Sequence, residues 1–313
     1  MTSAVSIGIT TYNRPEQLGL LLSALDRQVL PHDLESRIKV VLVDNSPDCT
    51  ARNVAESYCH TGRFPLKYIS EPLKGLSKAR NAALATALPD SEFITFIDDD
   101  EVPTSSWLAA LVGKLIESNA AAVVGPVQPI FEGVAPTWIS GGQYFSKNLA
   151  VECGFVREGY TCNTALRASV LRKLNLWFDE AFDQTGGEDT MFFDALKKAG
   201  EQIAWAEDAL VLEWIPKSRT NLSWMARRWY RTGGTEANLG RFRPLGVAGR
   251  TVNFLRGCVR VGIGALLLLL CAPWFWFRRG MVVRVLTMIC RGAGLVSSAF
   301  GKQHQEYAHP AYH

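Results

Sequence analysis

Residues 94–101, Ile-Thr-Phe-Ile-Asp-Asp-Asp-Glu, run an apolar, β-branched segment straight into Asp98, Asp99 and Asp100, followed by Glu101. In an extended backbone alternate side chains share a face, so Asp98 and Asp100 are expected on one side and Asp99 on the other. Two carboxylates converging at a strand end suit Mg²⁺ or Mn²⁺, ions usually held by one or two carboxylates plus substrate phosphates. The same residues also read as a solvated acidic turn ahead of a helix beginning near Pro103. Farther on, Gly186-Gly187-Glu188-Asp189 precedes a helix that starts near Thr190. Glycines there admit a ligand closely, and a helix start favours negative charge. Asp189 has the chemistry of a general base for a hydroxyl within hydrogen-bond reach, and capping the helix is its competing role. Gly75-Leu76-Ser77 opens another helix, with Ser77 as a capping residue and Arg80 one turn in. Free N–H groups at such a start, with a guanidinium fork beside them, suit phosphate.

The elements that must position these residues alternate. Val5–Thr10, Ile38–Val43, Leu66–Ser70, Phe93–Ile97 and Ala121–Val127 read as strands. Pro15–Gln28, Leu76–Leu88 and Ser106–Ser118 read as helices, as does a stretch ending at Tyr58. This alternation predicts a three-layer α/β/α domain on a mostly parallel sheet, with ligands beyond the carboxyl ends of the strands. Thr11-Tyr12, Asp44-Asn45 and Asp98–Asp100 all fall at such ends. Residues 126–159 read as Gly-, Pro- and aromatic-rich loops. Ala168–Leu174, Thr190–Ala199 and Leu222–Leu239 read as helices. The last of these carries Arg227, Arg228 and Arg231 around Trp229 and Tyr230, which offers cations for phosphate and a ring for sugar.

The chain of 313 residues has a formal charge of +3, unevenly spread. From Arg241 onward ten Lys/Arg meet one acidic residue, giving +9, and the first 240 residues carry 23 minus 29, or −6. The basic tail is too apolar for a solvated nucleic-acid arm, so an anionic membrane surface is the expected partner. The 17 uncharged residues Val261–Phe277 are shorter than a full hydrocarbon core and have arginines at both ends, and Met281–Phe300 carries Arg284 and Arg291. This pattern predicts a helical pair lying in or dipping into one leaflet, with a transmembrane hairpin and an ordinary buried pair as the alternatives. The seven cysteines show no paired metal-ligand spacing. The first residues lack a signal-peptide pattern, so the body is expected in the cytosol.

Five motifs, in order over about 230 residues, resemble the family 2 glycosyltransferases. They are Ile9-Thr10-Thr11-Tyr12-Asn13-Arg14, Val43-Asp44-Asn45-Ser46, Gly75-Leu76-Ser77-Lys78-Ala79-Arg80-Asn81, Asp98-Asp99-Asp100 and Gly186-Gly187-Glu188-Asp189. The series is similar to bacterial exopolysaccharide enzymes of the succinoglycan-assembly type. The resemblance implies a GT-A domain over residues 1–240, a nucleotide-sugar donor, Mn²⁺ or Mg²⁺, and inversion at the anomeric carbon; Asp44 makes UDP the expected nucleotide, and the basic, apolar residues 241–313 are the expected membrane-associating segment. The resemblance assigns donor binding to Thr10, Thr11, Tyr12, Arg14, Lys74, Gly75, Arg80 and Asp99, and the uracil imide to Asp44. Asp98 and Asp100 would take the metal, with Asp98 shared with the ribose. Asp189 would be the base, and Asn163, Gly186, Gly187, Glu188, Arg228 and Trp229 would meet sugar or acceptor. Met225 stands where processive relatives have Gln or Arg in Gln/Arg-x-x-Arg-Trp, which implies one sugar per acceptor. The acceptor implied is a polyprenyl-diphosphate-linked oligosaccharide at the inner face of the cytoplasmic membrane. A Mg²⁺-dependent phosphohydrolase or nucleotidyltransferase, and a non-catalytic nucleotide-sugar scaffold, are the competing readings.

Overall fold

The computed structural model describes residues 5–183, 185–237, 246–271 and 279–301. Strands β1 (Val5–Thr11), β2 (Ile38–Asp44), β3 (Leu66–Ser70) and β4 (Phe93–Asp98) alternate with α1 (Pro15–Asp26), α2 (His32–Glu35), α3 (Arg52–Thr61) and α4 (Leu76–Ala87). Then come β5 (Glu101–Pro103), α5 (Trp107–Ser118), β6 (Ala122–Val124), β7 (Val127–Phe131), α6 (Thr137–Ser140) and β8 (Phe155–Val156). Next are β9 (Asn163–Arg167), α7 (Ala168–Leu174), α8 (Glu188–Lys198), β10 (Ile203–Trp205) and β11 (Val211–Ile215). Three longer helices follow, α9 (Leu222–Glu236), α10 (Val247–Cys271) and α11 (Arg279–Ala299).

Among the described residues the main sheet has eight strands in the order β3-β2-β1-β4-β9-β6-β10-β8. β1 pairs in parallel with β2 and β4, β2 with β3 and β6 with β10, whereas β9 runs antiparallel between β4 and β6. Alternation along β2 divides the core between the two faces. Ile38, Val40 and Leu42 pack with Leu18, Leu21, Leu22 and Leu25 of α1, with α3 and with Trp107, Leu108 and Leu111 of α5. Val41 and Val43 pack with Ala79, Ala83 and Leu84 of α4, Leu171 of α7 and Phe192 of α8. Each fully buried Leu or Val contributes about 1.5–3 kcal/mol, so the stacked layers hold the strand ends in place. The result is the expected three-layer α/β/α domain.

Some differences from the sequence pattern have physical causes. The apolar run 121–127 breaks at Gly125-Pro126, where proline has no N–H for a continuing ladder. β6 stays in the main sheet, while β7 joins a small sheet of order β5-β11-β7. The loop region 126–159 holds β7, α6 and β8, and Asn163 opens a central strand rather than a loop. Helix α9 ends at Glu236, short of the expected Leu239, which lies outside the described residues, as do Trp274–Phe277 and the boundary at 240/241. Across that boundary Val283 of α11 shares an apolar cluster with Ile139, Phe145, Ile215, Met225 and Trp229.

Candidate active site

β4 ends at Asp98, in register with Thr10 of β1, and β5 begins at Glu101. Asp99 and Asp100 therefore form a turn, and the extended-strand alternation expected for the three aspartates stops at Asp98. Thr11 Oγ1 donates to Asp99 Oδ2 at 2.8 Å, and Arg14 Nη1 donates to both Asp99 Oδ1 and Asp100 Oδ2 at 2.8 Å. Burial pushes Asp99, 5% exposed, up to about 6 against the pull of Arg14. Burial also disfavours the Arg14 cation, yet Asp99 and Asp100 outweigh it and raise its pKa. Trp214 N–H donates to the Asp100 carbonyl at 2.9 Å, which ties the turn to β11. Arg219 Nη1 stands 3.6 Å from Asp100 Oδ2.

Beneath this turn Glu101 joins a charged cluster whose Lys147 and Glu213 the sequence reading missed. Glu101 Oε2 accepts from Asp98 N–H at 2.9 Å, and Glu101 faces Glu213 across β5 and β11. Lys147 Nζ donates to Cys162 Sγ at 2.6 Å and lies 5.0 Å from the Tyr160 ring centre. Burial opposes the Lys147 charge, but Cys162, Glu213 and Glu101 more than offset it and raise the ammonium's pKa. Burial, with Asp98 nearby, raises Glu101 well above the ordinary range. Ligand atoms of Asp98, Glu101 and Cys162 all fall within 4.8 Å of one another, and Glu101 Oε1 is buried with no hydrogen-bond partner. The side chains of Asp98 and Asp100, 36% and 14% exposed, line the cleft above. Hard carboxylate oxygens beside an unsatisfied one suit a divalent cation that also takes substrate oxygens.

The phosphate-like site expected at the start of α4 is filled by the protein itself. Asp183 Oδ1 accepts from the backbone N–H groups of Ser77 at 2.8 Å and Lys78 at 3.2 Å. Ser77 is not the cap, because its hydroxyl donates to the Asp179 carbonyl at 2.8 Å. Arg80, at the cleft wall, is held by carboxylates. It is 4% exposed, donates through Nη1 to Glu188 Oε1, and reaches Asp98 Oδ1 through Nη2 at 3.3 Å. Gly75 N–H donates to Asn45 Oδ1 at 2.9 Å, which holds the loop before α4 against the end of β2. Lys74 Nζ sits 4.7 Å from the centre of the Tyr12 ring at the cleft wall.

Gly186 and Gly187 have φ of 70° and 97°. The left-handed region is one that only glycine enters freely, so this pair makes the turn that starts α8 at Glu188. Asp189, half-buried in the first turn, accepts at Oδ1 from Thr190 N–H at 2.6 Å and Thr190 Oγ1 at 3.2 Å. Burial raises Glu188 against Arg80, and Asp189 raises it further. Helix α9 closes the cleft with Trp224, Arg228 and Arg231, spaced four and seven along one face. Arg228 lies over the Trp224 and Phe145 rings at 5.4 and 5.2 Å.

Together these groups line one cleft of about 350 Å³, which takes in Thr10, Thr11, Tyr12, Arg14, Lys74, Gly75, Arg80, Asp98–Asp100 and Gly186–Asp189. Three expected contacts are absent from it. Asp44 is fully buried, with Oδ1 taken by Ser46 N–H at 2.9 Å and Oδ2 by Ala51 N–H at 2.8 Å and Tyr68 Oη at 3.0 Å, so it fastens the turn after β2. Asn163 bonds Trp107 Nε1 at 2.8 Å and the Pro126 and Ala209 carbonyls at 3.0 and 2.7 Å. Trp229 packs edge-on to Tyr144 in the interior, because neighbours on a helix point in different directions, and Trp224 takes the cleft position instead. Met225 is fully buried in the same cluster. Trp224, at the four-residue spacing from Arg228, and Glu213, a lone charge in an apolar strand, left signals in the sequence. Lys147 left none.

A sheet of mainly parallel strands ending in this acidic cleft is the architecture of a GT-A domain. The family model for "Glycosyl transferase family 2" matches residues 6–175, and the chain belongs to that family. It is a glycosyltransferase. It is 32% identical over 307 residues to the succinoglycan biosynthesis protein ExoM of Rhizobium meliloti (strain 1021), covering 98% of this chain and 96% of that one. It is 27% identical over 212 residues to the pre-mycofactocin glycosyltransferase of Mycobacterium tuberculosis, covering 66% of this chain and 43% of that one. Among solved structures, S. aureus TarS 1–349 in complex with UDP superposes with a TM-score of 0.52 at 16% identity, over 96% of this chain and 93% of that chain.

Proposed function

We propose that this chain is an inverting, metal-dependent transferase that adds a hexose, glucose as first choice, from a UDP-sugar to a polyprenyl-diphosphate-linked oligosaccharide. The reading places it in exopolysaccharide assembly at the cytoplasmic face of the inner membrane, in line with its likeness to a succinoglycan biosynthesis protein along nearly the whole chain. The observation that carries the reading is the joining of Asp98, Asp100 and Asp189 in one cleft with the Tyr12–Lys74 pair and the cations of α9. No separate phosphate loop is needed for such a donor.

In this reading Tyr12 and Lys74 receive the nucleotide, and Asp98 and Asp100 hold Mn²⁺ or Mg²⁺. A bound ion would neutralise charge on the departing diphosphate. Arg219, Arg228 and Arg231 add fixed positive charge beside it, effective because they are placed before the reaction. Asp189 takes the proton of the acceptor hydroxyl as its oxygen attacks the anomeric carbon opposite the diphosphate, through a state with oxocarbenium character. Thr190 fixes Asp189 Oδ1 for that purpose. Met225 is packed in the core and offers no polar group where processive relatives have Gln or Arg, in keeping with one sugar per acceptor. Purified full-length protein would be given Mn²⁺ or Mg²⁺, a panel of UDP-sugars and other nucleotide sugars, and lipid-linked acceptors. One UDP-sugar is expected to be consumed with a single addition. If no nucleotide sugar were bound or cleaved, the reading would fail.

A further inference from the structure

Helix α10 carries an uncovered apolar stripe on one side and is fastened to the catalytic body on the other. Val252, Leu255, Val259, Ile263, Leu266 and Leu270 recur every three or four residues and are 44–60% exposed. Over 18 residues at 1.5 Å each, the stripe is roughly 27 Å long. On the opposite side Asn253, Gly257 and Gly264 are buried. A Cβ at Gly257 would strike Gly292 and Val296, and one at Gly264 would strike Ile289, so α10 touches α11 along both halves. Helix α11 is bound as closely to α9. A Cβ at Gly233 would collide with the Arg291 carbonyl, and one at Gly294 with the Tyr230 carbonyl. Glu236 of α9 pairs with Arg260 of α10 at 2.6 Å and with Arg291 of α11.

This packing separates the three arrangements open to the two apolar helices. Both have the length and apolarity to cross a bilayer. A crossing α10 would take α11 with it, and α11 carries α9, whose Arg228 and Arg231 line the cleft. Hydrocarbon does not accept that row of charges cheaply. A wholly interior pair is excluded by the exposed stripe. A helix with one apolar face and scattered arginines, docked lengthwise on a soluble body, has the build of an in-plane interfacial helix. Arg250 and Arg256 are exposed, and residues 241–313 carry +9, so the lipid it suits is anionic.

We infer that α10 alone is the membrane-contact element: it lies in the plane of an anionic phospholipid surface, its stripe at the acyl boundary, while α11 is a structural part of the catalytic body. This rests on the membrane location proposed above and refines it, because the lipid surface would then adjoin α9, the wall of the cleft.

The test uses the full chain and phosphatidylcholine vesicles with and without phosphatidylglycerol. Fluorophores attached at V252C, V259C and L266C, read against lipid quenchers at graded depths, are expected to report one shallow depth at all three sites. Depths that progress through the bilayer centre would overturn the inference in favour of a spanning helix. Absence of vesicle binding, with a dimer in sedimentation, would overturn it in favour of a second copy as the occupant. The variant L255E/V259E/L266E should lose at least about tenfold in vesicle affinity while hydrolysing donor normally. If that variant folds poorly, the labelled series still decides. R256Q should lower the preference for phosphatidylglycerol about fivefold, which is about 1 kcal/mol. Shallow binding without transfer to any lipid-linked acceptor would sink the proposed function and leave this inference standing. Transfer by protein with no vesicle affinity would do the reverse.

Discussion

Arg80 and Glu188, 108 residues apart in the chain, form a buried ion pair that links the aspartate turn to the start of α8. Arg80 also reaches Asp98 Oδ1 at 3.3 Å, so one guanidinium sets the spacing between the acids of the donor side and the Gly-Gly-Glu-Asp turn. Removing one partner strands the other charge in the interior. Arg80→Met is expected to cost about 3–5 kcal/mol in urea unfolding, with Arg80→Met/Glu188→Leu recovering much of it. Strictly additive losses would show that the two residues act independently.

The same pair predicts a pH dependence. Burial lifts the folded pKa of Glu188 above its unfolded value, so the folded state favours the protonated form. The stability this contributes is fully present below the ordinary glutamate pKa of about 4.3 and is lost as pH rises through the folded value. Unfolding measured across this window should show a negative slope, flattened in Glu188→Gln. An unchanged slope would assign the effect to other carboxyls.

Asp189→Asn removes the proposed base without changing size. Transfer should fall about 10²–10⁴-fold while donor affinity, measured by calorimetry, stays within roughly twofold. Equal losses in both would point to a donor-binding role for Asp189.

Asp100→Asn tests the cation site directly. Loss of an outer-shell partner costs roughly 10–100-fold in metal affinity, and loss of a ligand should cost at least as much, read from the Mn²⁺ resonance spectrum without substrate. Unaltered Mn²⁺ binding would remove Asp100 from the ligand set.

Asp183→Ala tests the cap of α4. Two backbone N–H groups lose their acceptor, which should lower stability by about 1 kcal/mol and the melting temperature by a few degrees. A large gain in donor affinity in this variant would mean that Asp183 competes with the donor diphosphate for the helix start.

Much of this molecule is legible from residue order. The continuous apolar run of β2 and the leucines of α1 announce buried layers, because a strand covered on both faces and a one-sided helix each carry an unmistakable period. Asp98–Asp100, Gly186-Gly187 and Asp189 stand out for a related reason: they interrupt the apolar periods of the elements on either side of them. Short strands such as β9 and β11 are harder to see, since non-local pairing makes them and their own residues carry little pattern.

By itself, the sequence determined the family, the layered fold and the acidic strand end, all written in local period and motif. The tertiary structure decided where each polar group spends its hydrogen bonds. Asp44 and Asn163 fasten backbone, Asp183 fills the anion site of α4, Arg80 binds Glu188, and Trp224 rather than Trp229 faces the cleft. It also packs Val283 of α11 into the apolar cluster of Met225 and Trp229, while Leu255, Val259 and Leu266 of α10 stay exposed. The physical reason is common to all of these: a buried donor or acceptor must find a partner, and that partner is set by packing across a hundred residues, which no spacing along the chain records.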